Sequence, residues 1–451
     1  MFRAIRFAED IEPLVRFVEE TLPARIVEET VAKLGAGTSA KQMMLALALA
    51  AIRSTEMPFV HHGGALHPVA ALPAIEQTMG RLQGRMSWVP LAQDVALSNA
   101  HIHDVSSGPY VMPEIEPVGE GSVEATREAF EGCLRRNYPG AAEHYFLWLL
   151  KNASRKVALE SLVRVAVANY RFDEHKLIAV VNSIRLLDSI GWEWAPVILR
   201  PVVRYNFMPS VWANAPPADQ IETWIEQYGL EAGVAVDGED EGEKVAMLRQ
   251  DLLSCSREEQ AEVIARTLAG GLSLAGAGEA ISLVASEVFI KSKTSNPMGI
   301  HAMTGMNALR FVCKAFPGLG ARGLLFWAMG PETQAGQDLS PFEELGPTSL
   351  GAIREAIEHN DPVRAAACTQ AYCQHKGDPT VLLQELGLWA ARDDATEMHG
   401  MKHHQAMVEE FFTTRSDAAW VHLAAQAKEA ALHAGKGTAV YERVLEGLEN
   451  V

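Results

Sequence analysis

The chain has 451 residues, 48% of them apolar and 21% charged, with a formal net charge of −18. A chain of this length and composition buries a substantial core and folds rather than staying disordered. The acidic balance argues against a nucleic-acid partner, which needs clustered Lys and Arg to displace counterions.

At the amino terminus, MFRAIRFAEDIEPLV is interrupted by Glu9, Asp10 and Glu12, so it lacks the apolar core of a secretory signal. The first strong helix, KQMMLALALAAIR, ends at Arg53, and its apolar run from Met43 to Ile52 is too short to span a bilayer. These features predict a cytoplasmic protein without a membrane partner. FVHHGGALHPVAALPAI follows and places His61, His62 and His67 at the entrance of the next helix. AHIHD, with His101, His103 and Asp104, reads either as a His-x-His ligand pair or as a plain loop before the Pro/Gly-rich DVSSGPYVMPEIEPVGEGS.

The same succession of helix, basic residue, polar link and histidine then recurs. SLVRVAVANYR ends at Arg171 and leads to His175; AISLVASEVFIK ends at Lys291 and leads to His301; LLQELGLWAAR ends at Arg392 and leads to His399. The second and third units also share an Asn followed three residues later by an Arg, Asn182 with Arg185 and Asn307 with Arg310. GVAVDGEDEGEK reads as an acidic, solvated insert. Alternating strand patterns are nearly absent.

The predicted fold is therefore all-α, a large multi-helical array of degenerate helix-hairpin repeats around a central site. It forms one all-helical domain over residues 1–451, with pseudo-repeat units at about 40–120, 155–230, 260–330 and 350–430. If the units are equivalent, their histidines converge on one axis.

Neutral imidazole is the commonest ligand for Zn, Fe, Cu and Ni, so a convergent set points to a metal. His399 and His403, one helical turn apart in EMHGMKHH, have a chelating spacing. Lys402 stands three residues after His399, on the same side, and would ligate only as a neutral amine or a carbamate. Phe59, Trp192, Trp194 and Met303 are candidates to line an apolar pocket. Cys133, Cys255, Cys313, Cys368 and Cys373 lack a CxxC pair and read as buried thiols. No GxGxxG, Walker loop, GxSxG or HExxH is present, so nothing announces a nucleotide, flavin or serine-hydrolase site.

The patches HGGALHPVAALPAI, FEGCLRRNYPGAAEHYFLWLL, GIHAMTGMNALRF and EMHGMKHH, in this order, resemble questin oxidase-like proteins over about a fifth of the chain. That resemblance implies an all-helical, non-haem iron oxygenase that uses dioxygen on a polycyclic aromatic or similar apolar small molecule, by ring cleavage or oxygen insertion. Carried over by residue, it makes His62, His175, His301 and His399 the imidazole ligands and Lys402 a carboxylated ligand, with Fe(II) as the cofactor. His175 departs most from the family pattern and rests on the internal repeat. His61 and His67 fit the first patch nearly as well as His62, and are expected to act as catalytic residues that support the ligand or hold substrate oxygen. The same cage with zinc would instead make a hydrolase or lyase, and a helical-repeat scaffold without chemistry is the third reading.

Overall fold

A computed structural model of the chain describes residues 3–55, 64, 66–105, 110–208, 218–292, 299–330, 345–394 and 396–451. Among the described residues there are twenty-two α-helices and no strand; extended pairing is limited to a bridge between Ala4 and Pro113. The expected all-α architecture is the one observed.

Four outer helices begin with side-chain caps that the sequence spells out. Ser39 and Gln42 form a reciprocal capping box ahead of Ala40–Ser54, and Ser154 accepts from the Val157 N–H ahead of Arg155–Asn169. Ser273 accepts from Gly276 ahead of Leu274–Lys291, and Asp378 accepts from Thr380 ahead of Pro379–Ala390. Each outer helix is followed by an inner helix that packs against it: Leu66–Met79, His175–Ile190, Ile300–Ala315 and His399–Thr413.

The inner helices form a closed ring. The first packs on the second, the second on the third, the third on the fourth, and the fourth returns to the first. All four start at a common centre, so they run parallel. Nearly every position of Leu274–Lys291 is buried, because that helix is covered by the ring on one side and by Gly242–Ser254 and Trp420–His433 on others. A helix so enclosed is mostly apolar, and its two buried acids are paired, Glu279 with Arg415 and Glu287 with Arg249, each at 2.9 Å.

The ring is pinned at the end away from the centre by the Asn and Arg that recur in the sequence. Arg185 donates to Asn307 Oδ1 at 3.1 Å and to Glu409 Oε2 at 2.9 Å, and Asn307 donates to Glu410 Oε1 at 3.0 Å. Arg310 also bonds Glu410. A smaller core around Ile353, Ile357, Leu386 and Trp389 flanks the main one. The last helix, Ala439–Glu449, packs on Ile26–Gly35, with Arg443 paired to Glu28 at 2.9 Å. No described helix is long and apolar enough to cross a membrane. Of the cysteines, Cys133, Cys313 and Cys368 are buried as expected, whereas Cys255 and Cys373 are half-buried.

Candidate metal centre

The start of each inner helix carries a histidine, and the ring brings these four together. His67 stacks on His175 with centroids 5.1 Å apart and planes 7° from parallel, and meets His399 edge-on at 4.7 Å. His301 lies 4.4 Å from His175 and 4.9 Å from His399 between centroids. Ligating atoms of His67, His175 and His399 all fall within 4.8 Å of one another, as do those of Glu174, His175 and His301.

Hydrogen-bond acceptors set the tautomer of two of the rings, and carboxylates stand beside the other two. His175 Nδ1 lies 3.0 Å from Asp173 Oδ1, a carboxylate that also accepts from the His175 backbone N–H at 3.1 Å and from the Tyr205 hydroxyl. His399 Nδ1 donates to the Thr396 carbonyl. His301 Nδ1 lies 3.0 Å from Glu174 Oε1, and His67 Nδ1 lies 2.8 Å from Glu397 Oε2. A carboxylate or carbonyl can only accept, so Nδ1 of His175 and of His399 carries the proton, and Nε2 of each of these rings, when neutral, keeps its lone pair. Carboxylate or carbonyl behind imidazole is the arrangement that orients metal-bound histidines.

Two consequences show that these residues fit a cation. His175 Nε2 and His399 Nε2 face each other at 3.3 Å; as two lone pairs they would repel. Two nitrogens bound about 2.1 Å from one ion lie about 3.0–3.4 Å apart, depending on the angle, and this pair has that spacing. His301 Nε2 is buried and has no hydrogen-bond partner among the described residues.

His67, His175 and His399 are held neutral, as ligation requires. Burial, then the Lys402 charge, then the neighbouring imidazoles push His67 and His399 well below the usual histidine range. Burial and His301 outweigh Asp173 and lower His175. Four converging helix N-termini each add about half a positive charge, and the carboxylates of Asp173, Glu174 and Glu397 offset them.

The approach of Glu397 to His67 depends on a strained turn. Glu397 and Met398 have φ of 52° and 62°, in the left-handed region that residues with a Cβ avoid. Such conformations cost about 1–3 kcal/mol each and persist only where surroundings impose them.

Lys402 is buried one turn into the fourth inner helix, and burial lowers its ammonium pKa to about 8, against the opposing pull of Glu397 and Asp94. Asp94, on helix Val89–His103, is wholly buried, and neither carboxylate oxygen has a hydrogen-bond partner among the described residues. Its burial raises its pKa well above the usual range, opposed by Lys402. Below Lys402 the ring encloses a polar cavity of about 250 Å³, lined by Asn182, Thr304, Asn307, Gln405 and Glu409 among others.

The tetrad thus joins His175, His301 and His399, at predicted positions, with His67, which was expected in a substrate-holding part. His62, expected as the ligand, and His61 lie outside the described residues, as does Phe59. His403 departs from its expected pairing with His399. The lumen-facing stripe of the fourth inner helix runs through Lys402, Gln405, Ala406 and Glu409. His403 therefore projects to the flank, its Nδ1 4.0 Å from Glu429 Oε2. Trp192 and Trp194 lie beyond the far end of the second inner helix, which runs from His175 to Ile190, and so cannot line the site. Met303 is plain core. His101 and His103 sit on the last turn of Val89–His103, where cationic side chains suit the dipole, outside the clusters formed by the described residues.

Sequence reasoning missed Asp173 and Asp94. A signal existed for the first, since an acidic residue precedes His175 as Glu397 precedes His399. Asp94 is marked only as an acid in the middle of an apolar helix, which does not say what it faces. Comparison with family models, with curated proteins and with solved structures found no match.

Proposed function

We propose that this chain is a metal-dependent oxygenase in which His67, His175, His301 and His399 hold a single Fe(II). The observation that carries the metal is the 3.3 Å separation of two Nε2 lone pairs whose tautomers are fixed from behind. Ligand number favours iron over zinc. Catalytic zinc takes three protein ligands and one open position, which four imidazoles would fill, whereas iron, with its higher coordination number, would have room for a Lys402 carbamate and a co-reactant as well. When bound, iron supplies one-electron redox chemistry and the activation of dioxygen.

The residues of the chain divide the remaining work. Asp173 and the Thr396 carbonyl hold a proton at Nδ1 of His175 and His399 and so aim their Nε2 inward, while Glu174 and Glu397 set a negative charge beside Nδ1 of His301 and His67. With its pKa near 8, Lys402 has a neutral fraction of about a tenth at pH 7, enough to accept carbon dioxide and become an anionic donor beside His399. The cavity beneath it, about 250 Å³ and lined by amides and charges, admits dioxygen, carbon dioxide and water. The polycyclic aromatic substrate, and its ring cleavage or oxygen insertion, rest on the family resemblance alone.

Elemental analysis of protein purified without chelator tests the reading. Iron is expected, lost on His175→Ala and on His399→Ala. Lys402→Ala should lose iron and oxygen uptake while keeping its circular dichroism, and bicarbonate should speed reconstitution of the wild type. Zinc in place of iron would overturn the redox chemistry, and a folded Lys402→Ala with full iron and turnover would overturn the carbamate.

A further inference from the structure

Beside the tetrad lies a second group of ligand-bearing side chains that the oxygenase reading does not use. Asp393, Glu429 and His433 bring their donor atoms within 4.8 Å of one another. Asp393 precedes the strained turn and Glu429 and His433 lie on helix Trp420–His433, so the group ties that turn to a helix behind the ring. Glu429 Oε1 lies 3.0 Å from His433 Nδ1. Both carboxylates are buried, at 7% and 2% exposure, and they open onto a cavity of about 340 Å³ that reaches Gly400.

Two independent observations point to a ligand there. His403 is wholly buried, and neither ring nitrogen has a hydrogen-bond partner among the described residues; its Nδ1 stops 4.0 Å from Glu429 Oε2. That gap is too long for a hydrogen bond, so a wholly buried imidazole points at the Glu429 carboxylate without closing on it. The second is the space over Gly400. A methyl group there would come 3.3 Å from Asp393 Oδ2 and 3.4 Å from Glu429 Oε1. Two carboxylate oxygens therefore face one small volume that only glycine leaves open.

We propose that Asp393, Glu429 and His433 form a second divalent-cation site, distinct from the imidazole tetrad, that braces the turn leading into His399, with His403 facing Glu429 from the other side. Two carboxylates neutralise a divalent ion, and the mixed oxygen and nitrogen donor set selects Mn(II), Fe(II) or Zn(II) over Mg(II) and Ca(II). The brace acts through Thr396, whose hydroxyl bonds Asp393 Oδ2 and whose carbonyl holds His399 Nδ1. Fixing Asp393 fixes Thr396, and with it the left-handed Glu397 and Met398.

Calorimetric titration of the full chain with Mn(II) tests this, using the His175→Ala/His399→Ala variant to silence the tetrad. That variant should still bind one Mn(II) per chain, and adding Glu429→Gln should abolish the binding. Should the buried Glu429→Gln fail to fold by circular dichroism, the half-buried His433→Ala serves instead; on the wild-type background it should remove one of two bound ions. Failure of the tetrad-silenced, folded protein to bind Mn(II), or undiminished binding after His433→Ala, would overturn the second site. Neither result touches the tetrad, whose iron is read separately in the wild type.

Discussion

Asp173→Asn separates a carboxylate that tunes a ligand from one that merely fills the core. In the structure Asp173 is buried and accepts from His175 Nδ1 at 3.0 Å, from the His175 backbone N–H at 3.1 Å, and from Tyr205. Burial by itself would raise its pKa, yet the bonds from His175 and Tyr205 hold it at about 2. The amide keeps the shape and one acceptor for His175 but loses the charge. Bonds to a charged partner contribute about 1.5–3 kcal/mol and neutral ones about 1; the difference over the His175 and Tyr205 contacts is about 2 kcal/mol, reduced because an amide is easier to bury than a carboxylate. The fold should thus survive with a loss of about 1–2 kcal/mol in urea denaturation. Metal affinity should fall further, by about 10–100-fold, because His175 is then free to place its proton on Nε2. Competition against a chromophoric chelator under anaerobic conditions reads this directly. Tyr205→Phe is the control: it removes one hydrogen bond and leaves the carboxylate, so stability should drop by about 1.5–3 kcal/mol with affinity unchanged. Unaltered metal binding in a destabilised Asp173→Asn would refute the tuning role.

Two further expectations concern stability. Burial holds His404 down to about 3 and His422 to about 4, so between pH 6.5 and 5 the unfolded chain takes up protons that the folded one does not. Stability should therefore fall with falling pH across that window by about 1.4 kcal/mol per pH unit for each histidine, and urea midpoints at pH 6.5 and 5.5 check it. His433, with a raised pKa, contributes no change there, since the stability it adds is fully present below 6.5; a flat profile would show that the two buried rings are charged. Lys428, buried beside the third outer helix, donates to the carbonyls of Phe289, Ile290 and Ser292 at 2.9, 3.2 and 2.7 Å. Lys428→Met should leave those helix-end carbonyls without their charged donor and cost about 2–4 kcal/mol in urea denaturation; a change below about 0.5 kcal/mol would mean that water replaces the ammonium.

The helix–histidine pattern repeated along the chain determined much on its own. Apolar residues at helical spacing, Ser and Asp caps at Ser39, Ser154, Ser273 and Asp378, and the missing strand alternation were enough for an all-α fold, because those signals act within a few residues of where they are written. Repetition of the unit also placed His175, His301 and His399 at equivalent helix starts, since equivalent local sequence builds equivalent local structure. Only the tertiary structure decided which face of each helix looks inward. A rotation of about 100° per residue separates Lys402, on the lumen stripe, from His403, on the flank, and no local signal distinguishes them. The same holds for the first ligand. His67 stands beside His175 and His399 because the closed ring fixes the axial position and phase of Leu66–Met79 against three helices distant in sequence. Asp94, too, acquires its surroundings from across the fold: an acid within an apolar helix looks anomalous in one dimension, and only ring closure sets it near a buried lysine more than three hundred residues away.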